Sequence, residues 1–218
     1  MTRFVVIGGD AAGMSAAAQA TRGAEPVDLV VFERGRFTSY AACGLPYFVG
    51  GLVGDADRLV ARSPEEHRRR GVDVRTGHEV VAIDTDRREV EVRVVETGAT
   101  RREPYDHLLI ATGASPIRPP FPNIDAKGVS GIHTIPDAVA IDDLIRERSP
   151  RRAVVVGGGY IGLEMVEAFL LRGLEVTVVE KLDQPMATLD ADMGARVADG
   201  LVAQGVALRL GTGVQGFE

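Results

Sequence analysis

The chain has 218 residues, 45% hydrophobic and 26% charged, with a net charge of −6 at pH 7. This is ordinary globular composition, long enough for one large domain or two small ones, and its acidity favours no nucleic-acid backbone as partner. A single cysteine, Cys43, excludes an intrachain disulfide framework and suits a reducing compartment, so a cytoplasmic location is expected.

The start, "MTRFVVIGGDAAG", has a short apolar run that glycines and Asp10 interrupt too soon for a signal peptide or a membrane span. Phe4 to Ile7 read as a buried parallel strand. Gly8, Gly9 and Gly13 follow as a glycine turn opening a helix, and "VDLVVFER" reads as a second strand ending at Glu33 and Arg34. Strand, crossover helix and parallel strand make one βαβ unit. Asp10 stands where a G-x-G-x-x-G pattern has its middle glycine. An aspartate directly against a pyrophosphate is unfavourable, so Asp10 is expected to point away or to cap the helix. Along that helix Ser15, Gln19 and Arg22 recur at spacings of four and three, which predicts one polar face. Ala12, Ala16 and Ala20 form the opposite, small face, expected to approach the sheet. On geometry alone the polar stripe reads as a solvent face or a binding face alike.

"TSYAACGLPYFVGG" places Cys43 before a short helix expected to begin near Leu45, with Pro46 tolerated in its first turn. Gly44 leaves room for a close approach to the sulfur. His67 to Arg70 read as a solvated helix end. "HEVVAIDTDRREVEVRVVE" alternates apolar and polar residues around "DTDRR", the pattern of a hairpin. "YDHLLIATGA" gives a buried strand and a small-residue turn at Ala111, Thr112 and Gly113, and Pro116, Pro119, Pro120 and Pro122 mark a linker. Ile141, Leu144 and Ile145 then share one helical face.

The first pattern now repeats. Val154 to Val156 predict a buried strand, and Gly157, Gly159 and Gly162 complete G-x-G-x-x-G before a helix. In that motif the first glycine permits the turn, the second admits a pyrophosphate, and the third lets helix and sheet pack closely. The helix N-terminus offers unpaired N–H groups to phosphates. Glu180 ends the next strand, where an acid binds a ribose 2′-hydroxyl and repels a 2′-phosphate; this favours NADH over NADPH, a preference that Lys181 weakens. Met193, Val197 and Leu201 predict a further helix with Asp190 and Asp192 in its first turn, and "VALRLGTG" a third strand. The fold class expected is α/β, with two Rossmann-like, three-layer nucleotide-binding domains, the first carrying a β-hairpin insertion. Residues 1–115 form the first, 116–150 a linker and first helix of the second, and 151–218 a βαβ core.

"GGDAAGMSAAAQ", "SYAACGLP", "LLIATGA" and "GGGYIGLEMVEA", in this order, resemble the pyridine nucleotide–disulfide oxidoreductase superfamily over the whole chain. Better-known members carry C-x₄-C; here the second position is Phe48. The chain is thus similar to the single-cysteine branch of coenzyme A–disulfide reductases, NADH oxidases and NADH peroxidases. The resemblance implies FAD at the first glycine loop, with Gly8, Gly9, Ala12, Gly13, Glu33, Arg34, Ala111, Thr112 and Gly113, and NADH or NADPH at the second. There it implies roles for Tyr160, shielding the flavin, for Ile161, and for Glu164, near the nicotinamide. Helix-start packing and a first-turn acid are the structural alternatives for Tyr160 and Glu164. It implies a redox-active Cys43, alternating between a thiolate facing the flavin and a mixed disulfide with coenzyme A.

Peroxidases and oxidases of the branch carry histidine where Asp10 stands. Coenzyme A–disulfide reductases carry Ser or Thr, Gln and Arg at positions matching Ser15, Gln19 and Arg22; these and Ser39 are the implied coenzyme A contacts. Two features depart or stay open: Ala42 replaces the family's Asn, and none of Arg68 to Arg70 is singled out for the lysine that meets coenzyme A phosphates. The expected function is NAD(P)H-driven reduction of coenzyme A disulfide or a related disulfide or persulfide. The alternatives are an NADH oxidase or peroxidase cycling through a sulfenic acid, and a nucleotide-binding fragment without turnover. The family's chain is about twice this length, so an N-terminal fragment, with both nucleotide domains incomplete and inactive alone, is expected from a homodimeric parent. No metal ligand set is expected.

Overall fold

The computed structural model describes residues 1–218. In chain order its elements are β1 (Thr2–Ile7), α1 (Ala11–Ala20), β2 (Val27–Glu33), α2 (Leu45–Val49), α3 (Pro64–Arg69), β3 (Asp73–Thr76), β4 (His78–Asp84), β5 (Glu89–Val94), β6 (Thr100–Pro104) and β7 (His107–Ile110), then α4 (Ile135–Arg148), β8 (Arg152–Val156), α5 (Tyr160–Leu171), β9 (Glu175–Val179), α6 (Ala191–Ala203) and β10 (Ala207–Arg209). Two compact units result: Met1–Ala41 with Leu59–Ser115, and Ala42–Arg58 with Pro116–Glu218. The segment 42–58, which carries Cys43, therefore groups with the second unit rather than with the residues that flank it.

The first unit is built on a parallel sheet in the order β3-β2-β1-β7. Register pairs Val5 with Val30 and Val6 with Val31, and alternation sends these residues to opposite faces. Val6, Leu29, Val31 and Val74 face Met14 and Ala17 of α1. Val5, Ile7, Val30 and Phe32 face Val90 and Val92 of β5. The expected hairpin is present as β4 and β5, but β6 adds a third antiparallel strand that the sequence reading missed. This small sheet forms the third layer of the unit. Val90 and Val92 have no exposed surface, so each contributes about 1.5–3 kcal/mol of burial. Glu103 of β6 ties the layers further by accepting hydrogen bonds from Arg3 and Arg75.

The face of α1 turned to the sheet is Gly13, Met14 and Ala17, with Ala20 packed beside them. Ala12 is exposed and Ala16 only half-buried, so the alanine face expected from the spacing is displaced around the helix. The close approach at Gly13 decides this: the helix meets the sheet where it has no side chain.

The second unit has the parallel order β10-β9-β8. Val155, Val176, Val178 and Val206 pack with Val166 and with partly buried Phe169, Leu170 and Leu201. Val154 and Val156 remain 64% and 52% exposed, so β8 is buried on one face only, not throughout as its valines suggested. Likewise Val197 and Leu201 of α6 are half-buried while Met193 is exposed. Gly194 is buried instead, because Gln184 lies across the helix there. The proline-rich linker has no helix or strand, and it pairs with the chain's end through Phe217 N–H to Pro122 C=O and Asn123 to Phe217 C=O. Thr134 and Asp137 form a capping box at the start of α4. No helix is long and apolar enough to cross a membrane.

Candidate functional site: two matched glycine loops and a lone thiol

Each glycine loop opens on a residue in left-handed backbone, Gly8 at φ +108° and Gly157 at φ +104°. Each first glycine donates its N–H to the penultimate or last residue of the neighbouring strand, Gly8 to Phe32 C=O and Gly157 to Val179 C=O, both at 2.9 Å. Each third glycine lies against the first: a Cβ on Gly13 would stand 1.9 Å from Gly8 O, and one on Gly162 2.0 Å from Gly157 O. The two loops thus share one geometry although Asp10 breaks the sequence pattern in the first. Gly8 is also closely approached by the turn after β7, where its Cβ would fall 2.2 Å from Ala111 O. The structure so brings Ala111 to the first loop, with the exposed Thr112 and Gly113 continuing from it, Gly113 at φ +66°.

The two strand-end acids hold the loops. Glu33 accepts from Gly9 N–H and Gly35 N–H, both at 2.7 Å. Glu180 accepts from Gly158 N–H at 2.7 Å and Leu182 N–H at 2.8 Å. The sequence points Glu180 to a ribose hydroxyl and Glu33 to the FAD site, and shows nothing of the loop contacts that both acids make. A carboxylate oxygen has two lone-pair sites, so a ribose hydroxyl remains compatible with both contacts.

Neither helix start carries a side-chain cap. Of the two expectations for Asp10, capping of α1 is not met, and its Oδ1 instead accepts from Tyr40 N–H at 3.2 Å. The first-turn N–H groups of α1 and α5 are therefore left for an anion, and a Cβ at Gly159 would meet nothing within 4 Å. These features fit the pyrophosphate of a dinucleotide at each loop. Arg34, Ala12, Tyr160, Ile161 and Glu164 are all exposed, Tyr160 and Ile161 by 66% and 59%.

Ser15 and Gln19 are exposed on one side of α1. Arg22 is exposed too, but it lies beyond the C-cap residue Thr21, in the turn, so the three do not form one helical face. Ser39 sits in left-handed backbone at φ +47°, and its hydroxyl is 2.9 Å from His67 Nε2. His67 is buried, which corrects its place in a solvated basic cluster; only Arg68, Arg69 and Arg70 are exposed. Burial, then the positive charges of Arg62 and Arg70, push its pKa below the usual histidine range, against a smaller opposite effect of Glu66. The signal was available in sequence: Ser63 and Glu66 make a capping box, which sets the phase of α3 and turns His67 inward.

Cys43 is exposed, in a 3₁₀ turn over Ala42–Gly44 that leads directly into α2. The expected short helix is present, with Pro46 in its first turn and Leu45, Phe48 and Val49 buried. Pro46 and Tyr47 line a shallow recess with Glu164, Glu167, Ala168 and Leu171 of α5. The second unit thereby brings Glu164 near the segment that bears the thiol. Sequence reasoning also missed Asp142, 6% exposed and paired with Arg172 at 2.7 Å. Its i, i+4, i+7 relation to Ala138 and Ile145 could have placed it on the buried face.

The family described as pyridine nucleotide-disulphide oxidoreductase matches residues 2–218. An NADH oxidase of Enterococcus faecalis is 38% identical over 216 residues, 99% of this chain and 48% of that protein. A coenzyme A disulfide reductase of Staphylococcus aureus is 34% identical over 211 residues, 96% of this chain and 48% of that protein. The crystal structure of reduced Bacillus anthracis CoADR-RHD matches with a TM-score of 0.96 at 38% identity, over 99% of this chain and 39% of that one. The chain spans about half the length of the curated relatives it matches. With its two matched glycine loops, and with sequence likeness from end to end, the chain belongs to the pyridine nucleotide-disulphide oxidoreductase family, whose members are FAD-dependent and use NAD(P)H.

Proposed function

We propose that the protein passes electrons from NAD(P)H, NADH preferred, through FAD to Cys43, and so reduces coenzyme A disulfide or a related disulfide or persulfide. The observation that carries this reading is Cys43 itself: the chain's only thiol, exposed, at the head of a short helix. Phe48 stands where a C-x₄-C pair would have its second cysteine, so Cys43 has no neighbouring thiol on α2 to exchange with and its disulfide partner is taken to be an external thiol. The name of a further relative supports the substrate class, an NAD(P)H coenzyme A polysulfide/persulfide reductase of Pyrococcus horikoshii, 40% identical over 178 residues.

In this reading the loop at Gly8, Gly9 and Gly13 and the N-terminus of α1 hold the FAD pyrophosphate, with Glu33 on its ribose. Gly157, Gly159, Gly162 and Glu180 do the same for the nicotinamide dinucleotide. Ser15, Gln19, Arg22 and Ser39 meet coenzyme A. Bound flavin supplies two-electron transfer between nicotinamide and sulfur. The Cys43 thiolate attacks one sulfur of the disulfide; that S–S bond breaks, one coenzyme A leaves as thiolate and takes a proton, and the other stays bound to Cys43. Two-electron reduction of this mixed disulfide releases the second thiol and restores the Cys43 thiolate. Overall, NAD(P)H, a proton and coenzyme A disulfide give NAD(P)⁺ and two thiols. The full-length protein is proposed to be a cytoplasmic homodimer.

A second reading, NADH oxidase chemistry through a Cys43 sulfenic acid, draws on the E. faecalis relative. Asp10 weighs against it, because the branch's oxidases and peroxidases resemble one another in a histidine there and this carboxylate is engaged by Tyr40 N–H. Cys43→Ser in the full-length protein tests the proposal. The variant is expected to keep FAD, NADH binding and NADH-driven dye reduction but to lose coenzyme A disulfide reduction, and the native protein to carry a coenzyme A adduct by mass spectrometry. Disulfide reduction by Cys43→Ser at the wild-type rate would remove the thiol from the mechanism.

A further inference from the structure

Arg172 is the first residue past α5. One of its nitrogens, Nη1, donates to Val49 C=O at 3.1 Å and to Asp142 Oδ1 at 2.7 Å. Val49 ends α2, and the last carbonyls of a helix have no partner within it; a cation there satisfies one and complements the helix dipole. Asp142 sits almost fully buried on α4, and its second oxygen takes Arg146 Nη2 at 2.7 Å. The contact between α2 and α5 is close: a Cβ on Gly50 would stand 3.3 Å from Ala168 Cα. Gly51 follows at φ +82°, its Cβ position 3.7 Å from Arg172 Nη1. Three elements distant in sequence therefore meet at one guanidinium.

A helix of five residues has no stability of its own, so its place is set by what anchors it. A buried ion pair is also a poor device for stability alone, since apolar residues of similar volume serve as well or better. We propose that Arg172, held by Asp142, is a positioning residue for Cys43. It fixes the C-terminal end of α2, and through α2 the 3₁₀ turn that carries the sulfur, against α4 and α5. α5 bears Gly162 and Glu164 near its other end, so the anchor joins the thiol segment to the helix of the second glycine loop. The proposal rests on the reading of Cys43 as the reacting thiol.

The test compares Arg172→Met, Arg172→Lys and Asp142→Asn with wild type in the flavin-loaded full-length protein. Hydrogen exchange over residues 45–52 should rise about tenfold in Arg172→Met, with β1 and β2 unchanged. Its kcat for coenzyme A disulfide should fall about tenfold, while KM for NADH and thiol-independent dye reduction hold. Arg172→Lys should recover part of kcat, because an ammonium can still reach Asp142. Asp142→Asn keeps the volume and leaves Arg172 in place to donate to Val49 C=O, and should show a smaller effect of the same kind if Arg172→Met does not fold. The proposal is overturned if disulfide and dye reduction fall in parallel, or if exchange over 45–52 is unchanged. It is equally overturned if kcat for the disulfide holds although α2 exchanges faster. Cys43→Ser assayed alongside separates the failures: disulfide reduction surviving in it sinks the thiol reading, whereas full kcat in Arg172→Met with an inactive Cys43→Ser sinks the anchor.

Discussion

Gly13→Ala adds one carbon at the tightest point of the first glycine loop. That carbon would lie 1.9 Å from Gly8 O, 3.0 Å from Gly8 C and 3.1 Å from Val6 Cγ1. The nearest atom is backbone oxygen, which cannot swing aside as a flexible side chain does. To reach ordinary separation α1 and the loop must part by roughly 1.5 Å, a forced overpacking that typically costs about 1–3 kcal/mol. The displacement is transmitted, because Met14 and Ala17 on the same face close the core with Leu29, Val31 and Val74. For a chain of this size such a loss lowers Tm by roughly 2–12 °C. The same substitution at Gly200, inside α6 with nothing within 4 Å, should instead stabilise by about 0.5–1 kcal/mol through helix propensity alone. Thermal unfolding of both variants by circular dichroism, without added nucleotide, reads the two signs side by side. A Gly13→Ala melt within about 1 °C of wild type would refute the argument that this glycine is required by helix–loop contact.

Two further outcomes are expected. Glu180→Ala in the full-length protein should raise KM for NADH, narrow its preference over NADPH and leave bound flavin unchanged, since Glu180 holds the second loop through Gly158 and Leu182; loss of flavin with intact NADH kinetics would reverse the assignment of the two loops. His67 should make the fold acid-sensitive: its folded pKa lies below its unfolded one, so the unfolded chain binds the proton first, and stability present above about pH 6.5 drains away as pH falls through that value. Denaturant midpoints measured near pH 7.5 and about pH 5.5 should converge in His67→Asn, and an unaltered pH slope in that variant would absolve the histidine.

Period and turn chemistry were enough to read both βαβ units, the hairpin β4–β5, the helix at Leu45 and the strand after Val206 from the chain alone. These are local: a β-branched run, a glycine at φ near +105°, or an Asp-rich turn acts on its own few residues. The glycines at 8, 13, 157 and 162 were legible for the same reason, because close packing and left-handed backbone leave no other residue type. What the sequence hid were contacts with distant partners. Asp10 finds Tyr40 rather than its own helix, and β6 becomes part of a layer only because Val90 and Val92 beside it need the face of the parallel sheet. The alternation in β8 could not say which valines would be covered, since Val155 meets α5 while Val154 and Val156 meet nothing of the kind. The grouping of Cys43 with the second unit was the least legible of all. Arg172 and Val49 are 123 residues apart, and a donor and acceptor at that distance leave no periodic trace for a sequence to show; only the packing of α2 on α4 and α5 decides that they meet.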